Sequence, residues 1–177
     1  MSDLRLHLGG TVSIDHQGRR WTVVNILPGP HVDVVSGIDH LPAFADASVS
    51  EIYASHVYEH LSYRTHLLPA LREARRVLAP GGSIMIAVPD LAVLCELFLS
   101  ARNDPDLRFH LMRMILGGHM DQHDIHLAGF DQAILHTFLH QAGFTNIRKV
   151  ERFGLFTDTS ELRVNGRLIS LCMSAQA

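Results

Sequence analysis

The 177-residue sequence predicts an α/β protein built on a mostly parallel sheet, and three observations carry that prediction. The stretch from Glu51 to Asp90 holds a short apolar run, an amphipathic helix and a second short apolar run, the pattern of one right-handed βαβ unit. Both apolar runs are rich in β-branched or small residues, as expected of parallel strands covered on both faces. No internal repeat, low-complexity tract or linker breaks the chain, and 47% hydrophobic residues is ordinary for a globular core. Residues 1–177 are therefore expected to form one domain.

In the central unit, residues 52–57 and 83–88 are the strands. Leu67, Leu68, Leu71, Ala74 and Leu78 fall on one side of the intervening helix, with Arg72, Glu73, Arg75 and Arg76 turned away. Pro80 forbids continuation of that helix, and Gly81-Gly82 allow a sharp return to the sheet. Before this unit, residues 4–8 read as the first strand, broken by Gly9-Gly10-Thr11 at its C-terminal edge, where ligands of open parallel sheets bind. Residues 12–20 are too few and too polar to hold a crossover helix, so a loop is expected there. Residues 21–27 form the second strand, ended by Pro28-Gly29-Pro30. Residues 32–37 form the third, followed by Ile38 and Asp39, with a turn at Asp46-Ala47-Ser48.

After the central unit, Asp90 can cap a helix whose apolar stripe is Leu91, Leu94, Cys95 and Phe98. Asp104-Pro105 reads as the cap and first position of the next helix, with Leu107, Leu111, Met114 and Ile115 facing inward until Gly117-Gly118 stops it. Residues 119–129 are a polar, histidine-rich loop. Residues 131–142 form a last helix with Ile134, Leu135, Phe138 and Leu139 inward, closed by Gly143.

The succession of strand, EHL (Glu59, His60, Leu61), RRVLAPGG (residues 75–82) and VPD (residues 88–90) resembles the class I S-adenosylmethionine-dependent methyltransferases of the broad type-11 group, with Ala79 where lysine is usual. The resemblance extends from about Leu4 to Phe144. It implies a Rossmann-like sheet, in which the usual helix after strand one is here replaced by the loop over residues 12–20, with residues 145–152 as the sixth strand and residues 168–174 as its antiparallel partner at the sheet edge. It also implies S-adenosylmethionine as cofactor and methyl transfer to a small-molecule or glycan-type acceptor. The cofactor is expected across Gly9, Gly10, Thr11, Asn25, Gly37, Ile38, Asp39, Ser55 and His56. LHLGGT stands where a GxGxG-like loop is usual, Asn25 where an acidic residue usually accepts from the ribose, and Gly37 where one usually faces the adenine, with Asp39 two residues on. These departures imply weaker cofactor affinity, because an amide oxygen accepts without charge assistance.

Methyl transfer asks a protein for alignment and, for a hydroxyl or amine acceptor, removal of a proton. His60, Glu59 and His126 are the expected catalytic residues, His56 being an alternative base. The bland alternative is that Glu59 and His60 only cap and orient a helix start. His56-x-x-Glu59-His60 also matches a metalloprotease pattern, but that pattern needs both histidines on one helix, and here the first ends a strand. His119, His123 and His126 with Asp121 and Asp124 offer metal-ligand chemistry. A histidine-rich loop is more often solvated surface, so no metal is assigned.

A net charge of −3 supplies no basic surface for nucleic acid. No apolar run is long enough to cross a membrane, and residues 1–10 lack a secretory core. Cys95 and Cys172, in apolar surroundings without metal-type spacing, read as buried reduced thiols of a cytoplasmic protein. Loss of the first crossover helix is expected to bare one sheet face and favour a homodimer. The rival to an enzyme is a catalytically inactive module of the same fold that serves as a partner or scaffold.

Overall fold

The structure, a computed structural model, describes residues 3–102 and 104–177. Met1, Ser2 and Asn103, part of the single domain expected over 1–177, lie outside the described residues. The strands are β1 (Arg5–Leu8), β2 (Thr22–Asn25), β3 (Val34–Val35), β4 (Val49–Ser55), β5 (Leu78–Pro89), β6 (Thr145–Val150), β7 (Arg163–Val164), β8 (Arg167–Leu168) and β9 (Ser170–Gln176). The helices are α1 (Leu67–Val77), α2 (Leu91–Ser100), α3 (Pro105–Leu116) and α4 (Gln132–Gln141).

The main sheet has the order β3-β2-β1-β4-β5-β9-β6. β1 to β5 are mutually parallel, and β9 runs antiparallel to both β5 and β6. The expected antiparallel C-terminal strand is present, one position in from the edge that β6 occupies. The central βαβ unit is β4-α1-β5, and the Pro80-Gly81-Gly82 segment forms an irregularity within β5, where the register to β4 jumps from Val49↔Leu78 to Glu51↔Ser83.

The period of two along each strand divides the core. Leu6, Leu8, Ile52, Ala54, Ile84, Ile86, Leu171 and Met173 pack with Leu71 and Ala74 of α1 and Leu135 and Leu139 of α4. A second cluster joins Leu94 and Leu97 of α2, Leu111 of α3, Val164 and Ile169. In α2 the buried face is Leu94 and Leu97, whereas Cys95 is exposed, contrary to the expected stripe. The helix is apolar on nearly every side, so its composition does not mark which side turns in. Cys172 is buried as expected, and burial pushes its thiol up to about 12.

No helix lies between β1 and β2, and the consequence differs from expectation. The sheet face beside β1 is covered from within the chain: Trp21 and Tyr53 are fully buried with Leu155 and Phe156. The His7 imidazole stacks on the Phe156 ring at 4.2 Å between centroids, and Trp21 meets Tyr53 edge-on at 6.3 Å. Asp15 holds the replacement loop: its carboxylate accepts from the Gln17 and Arg19 backbone, from Arg19 Nε at 2.7 Å and from Trp21 Nε1 at 2.9 Å. The bare face that argued for a second copy is therefore not there. Among the described residues no helix is long and apolar enough to cross a membrane.

Candidate functional site

The loop-bearing ends of β1, β2, β3 and β4 surround a cavity of about 360 Å³, within the range of small-molecule sites. Gly9, Asn25, Gly37, Ile38, Asp39 and His56 line it, together with Val57, His60 and His123. Seven of the expected site residues thus share one cavity, counting Gly9, Asn25, Gly37, Ile38, Asp39, His56 and His60. Gly10, Thr11 and Ser55 are not among its lining residues. The two glycines answer to packing by the chain itself. A Cβ on Gly10 would overlap the His7 ring, and Gly9, with φ of +68°, passes against Val57. Ser55 falls on the alternate register of β4, on the side of Tyr53, with its hydroxyl buried.

Asn25 staples this end of the sheet: Nδ2 donates to Gly10 O at 3.1 Å, and Oδ1 accepts from Leu27 N at 3.0 Å. One lone pair of Oδ1 remains for a ligand hydroxyl. Asp39 lines the same cavity, two residues before Leu41, whose N–H donates to Glu73 of α1 at 2.7 Å. Arg76 binds the same carboxylate at 2.8 Å through both Nε and Nη2, which with the Leu41 bond holds Glu73 down to about 2, against the opposing effect of burial.

His56 ends β4 with φ of +55°, the left-handed region that few non-glycine residues adopt. Its backbone N–H is anchored to Ala87 O at 2.8 Å. The ring is fixed through Nε2, 2.9 Å from Ser170 Oγ, whose hydroxyl donates to Thr159 O. His56 also lines a second cavity of about 270 Å³ with Pro89, His110, Arg113, Met114, Asp124 and His126. One imidazole thus forms part of the wall of both spaces.

Glu59 and His60 do not begin α1 as the sequence suggested. They sit in a 3-10 turn, Tyr58–His60, well before that helix starts at Leu67. The Glu59 side chain is 1% exposed. His56 Nδ1 lies 3.3 Å from its Oε1, yet neither carboxylate oxygen has a hydrogen bond. The His60 and His126 rings meet edge-on at 4.8 Å between centroids. In each the Nδ1–H donates to a backbone carbonyl, Ile125 O for His60 and Ile115 O for His126, both at 3.2 Å, which leaves a lone pair on Nε2. Burial pulls the His126 imidazole below its ordinary value, opposed by the Glu59 charge.

The three residues expected to be catalytic are therefore neighbours; of the rest of the histidine loop, His123 shares the first cavity with His60 and Asp124 the second with His126, whereas His119 lines neither. His119 Nε2 lies 3.1 Å from Leu116 O, and His123 lies beside Gln122. Asp124 braces this loop: burial alone would raise its carboxyl, but the Met120 and Gly118 N–H groups prevail and hold it below the usual range. His110 and Arg113 in the second cavity are not marked as site residues by the sequence, because helical periodicity accounts for them without a ligand, and Asp124 is marked there only as a metal-ligand candidate of the histidine loop.

A methyltransferase-domain family model matches residues 17–86. The fold is that of class I methyltransferases. A SAM-dependent methyltransferase from Archaeoglobus fulgidus superposes with a TM-score of 0.61 at 15% identity, covering 99% of this chain and 86% of that one. The Burkholderia thailandensis 1,6-didemethyltoxoflavin-N1-methyltransferase, with bound 1,6-didemethyltoxoflavin and S-adenosylhomocysteine, gives 0.62 at 16% identity, covering 98% and 70%. The CurJ carbon methyltransferase gives 0.57 at 16% identity, where this chain covers 99% of itself and 49% of that structure. No curated protein matches in sequence.

Proposed function

We infer that this class I methyltransferase fold works as an S-adenosylmethionine-dependent methyltransferase on a small-molecule or glycan-type acceptor. The observation that carries the reading is the two cavities meeting at His56, one at the strand ends of the sheet and the other lined by His126 and Asp124. The family-model match and the S-adenosylhomocysteine bound to the toxoflavin enzyme support the cofactor assignment. The chain is treated as one catalytic unit, and its uncrosslinked cysteines suit a reducing compartment such as the cytoplasm.

The residues present fit an adenosyl group. Asp39 supplies a carboxylate for its hydrogen-bond donors, Asn25 Oδ1 keeps one lone pair for a ribose hydroxyl, and Ile38 and Val57 give apolar surface to the base. When bound, the cofactor supplies an electrophilic methyl carbon on a sulfonium centre. The protein's own contribution is alignment and proton removal. The strained His56 backbone fixes the boundary between the two spaces, so an acceptor in the second cavity approaches from one direction. His60 and His126, each with a free Nε2 lone pair, are the bases within reach. The buried Glu59 carboxylate favours the imidazolium that results.

The test is calorimetric titration with S-adenosylmethionine and S-adenosylhomocysteine. Both are expected to bind, and Asp39→Ala to weaken binding by about tenfold, the loss of one hydrogen bond to a charged acceptor. No binding at millimolar concentration removes the enzyme reading. It would leave the second reading, a silent module of the same fold, which is favoured by one observation: both ends of the Asn25 amide already hold the chain together.

A further inference from the structure

We propose that Glu59, His60 and His126 form a binding site for one divalent first-row transition cation, of which zinc is the best match. One carboxylate oxygen and one nitrogen from each imidazole lie within 4.8 Å of one another. Two neutral nitrogens with one carboxylate, leaving a coordination position open, is the donor set of catalytic zinc and related ions.

Three features go beyond that proximity. Glu59 is 1% exposed, and neither carboxylate oxygen accepts a hydrogen bond, so a buried polar group lacks the partners such groups ordinarily have. His60 and His126 are each oriented by an Nδ1–H to backbone carbonyl bond, the support that metal-ligating histidines receive because it fixes the tautomer with its lone pair on Nε2. The two segments are also tied together before any ion arrives: the Glu59 carbonyl accepts from Leu127 N at 2.7 Å and from Ala128 N at 3.0 Å, next to His126. Donor atoms around a tetrahedral zinc stand about 3.4 Å apart, so closing on an ion asks for movements of about 1 Å. The half-buried His60 ring can supply that movement by rotation.

The competing account of Glu59 is an ion pair with a protonated His56. Ser170 Oγ gives its proton to Thr159 O and so accepts from His56 Nε2–H, while His56 Nδ1 stands 3.3 Å from Glu59 Oε1. That contact reaches only Oε1 and leaves Glu59 Oε2 without a partner. A cation at this place would engage Glu59 through an oxygen that is within 4.8 Å of a nitrogen of both His60 and His126, two residues that the His56 contact does not use.

His60 lines the cavity at the strand ends and His126 the adjoining one, so the open coordination position falls near their boundary. A bound ion would occupy the Nε2 lone pairs of His60 and His126 and so take over from them as bases: it would lower the pKa of an acceptor oxygen by polarising it, which points to a hydroxyl- or carboxyl-bearing acceptor. That last step rests on the methyltransferase reading. The cation site itself does not.

The experiment titrates zinc and cobalt(II) chloride, without cofactor, into the tag-free 177-residue protein stripped with chelator, reading calorimetry, the cobalt visible spectrum and melting temperature. One ion per chain is expected to bind with a micromolar or tighter dissociation constant and to raise the melting temperature. Glu59→Gln and His126→Ala should each weaken binding by about 100-fold or more, and His119→Ala should leave it unchanged. Circular dichroism reports whether the variants fold, and should Glu59→Gln not fold, His126→Ala on the surface loop decides. Absence of saturable binding at millimolar ion, as the His56 ion pair would give, overturns the proposal. So does wild-type affinity in His126→Ala, which would mark dispersed surface histidines. Cofactor titration of the stripped protein separates the two conclusions, since either ligand can bind without the other.

Discussion

Replacing Asp15 by asparagine tests whether the loop between β1 and β2 does the work of the missing helix. The side chain keeps its shape, and Oδ1 can still accept from Gln17 N and Arg19 N, both at 2.9 Å. The other terminus becomes an NH2 facing two donors, Trp21 Nε1–H and Arg19 Nε–H. Trp21 is fully buried, so its indole N–H is left unsatisfied at a cost of about 1–3 kcal/mol, and loss of the charged bond to Arg19 adds about 1 kcal/mol. Arg19 retains Glu51 at 3.2 Å, which limits that second loss. The expected destabilisation is about 3 kcal/mol, or about 6–12 °C in melting temperature for a chain of this length.

The pH dependence gives an independent figure. The indole, guanidinium and backbone donors together outweigh burial and hold the Asp15 carboxyl at about 2, below the ordinary 3.8. The folded value is depressed, so the stabilisation is complete above pH 3.8 and is lost as pH falls through about 2. It amounts to about 2.4 kcal/mol. Urea denaturation of both proteins between pH 7 and pH 2 should show the gap narrowing to under about 1 kcal/mol at the acid end. A gap below about 0.5 kcal/mol at pH 7, or one that does not change with pH, would refute the assignment of Asp15 as the staple of this face.

Gly10→Ala should cost about 2 kcal/mol in chemical denaturation, because the new methyl would overlap the His7 ring, itself pinned between Phe156 and the Val12 carbonyl; a neutral effect would mean that His7 is free to move. With a thiol-specific reagent near neutral pH, the native protein should react rapidly at Cys95 and resist at Cys172, whose thiol is buried and raised to about 12. The second equivalent should react only in denaturant, and rapid modification of both would place Cys172 at the surface.

The parts of this molecule that were legible in the sequence are those where a local signal and the tertiary environment agree. Asp90, Asp104 and Asp131 each cap a helix through a backbone N–H three residues on, as their positions before apolar stripes imply. The β4-α1-β5 unit formed where two buried runs flank an amphipathic helix, although its strands extend beyond the apolar stretches because pairing continues through Ser50 and Pro89. What could not be read depends on residues distant in the chain. Phe153 and Phe156 lie in an aperiodic stretch, so nothing local announces that they cover the face left by the missing helix. Asp15 looks like an ordinary loop aspartate until Trp21 is folded against it.

The glycines show how a correct location can carry a different cause. Gly9 lines the cavity, as its place at the end of β1 implied, but its freedom and that of Gly10 are used for close packing against Val57 and His7. A motif read as ligand contact is then also a packing requirement, and substitution there reports on both. The site separates from the scaffold in another way, by breaking local preference: His56 sits in a left-handed conformation without being glycine, and Glu59 keeps a buried carboxylate without a hydrogen bond. Both cost stability that the rest of the fold must offset, and they adjoin the boundary between the two cavities. Left-handed non-glycine residues also occur at Ala47, His119, Asn146 and Asn165, and a buried hydroxyl without a hydrogen bond at Tyr58, so neither departure marks a site by itself; what sets this place apart is that both fall within three residues of each other beside the boundary between the two cavities.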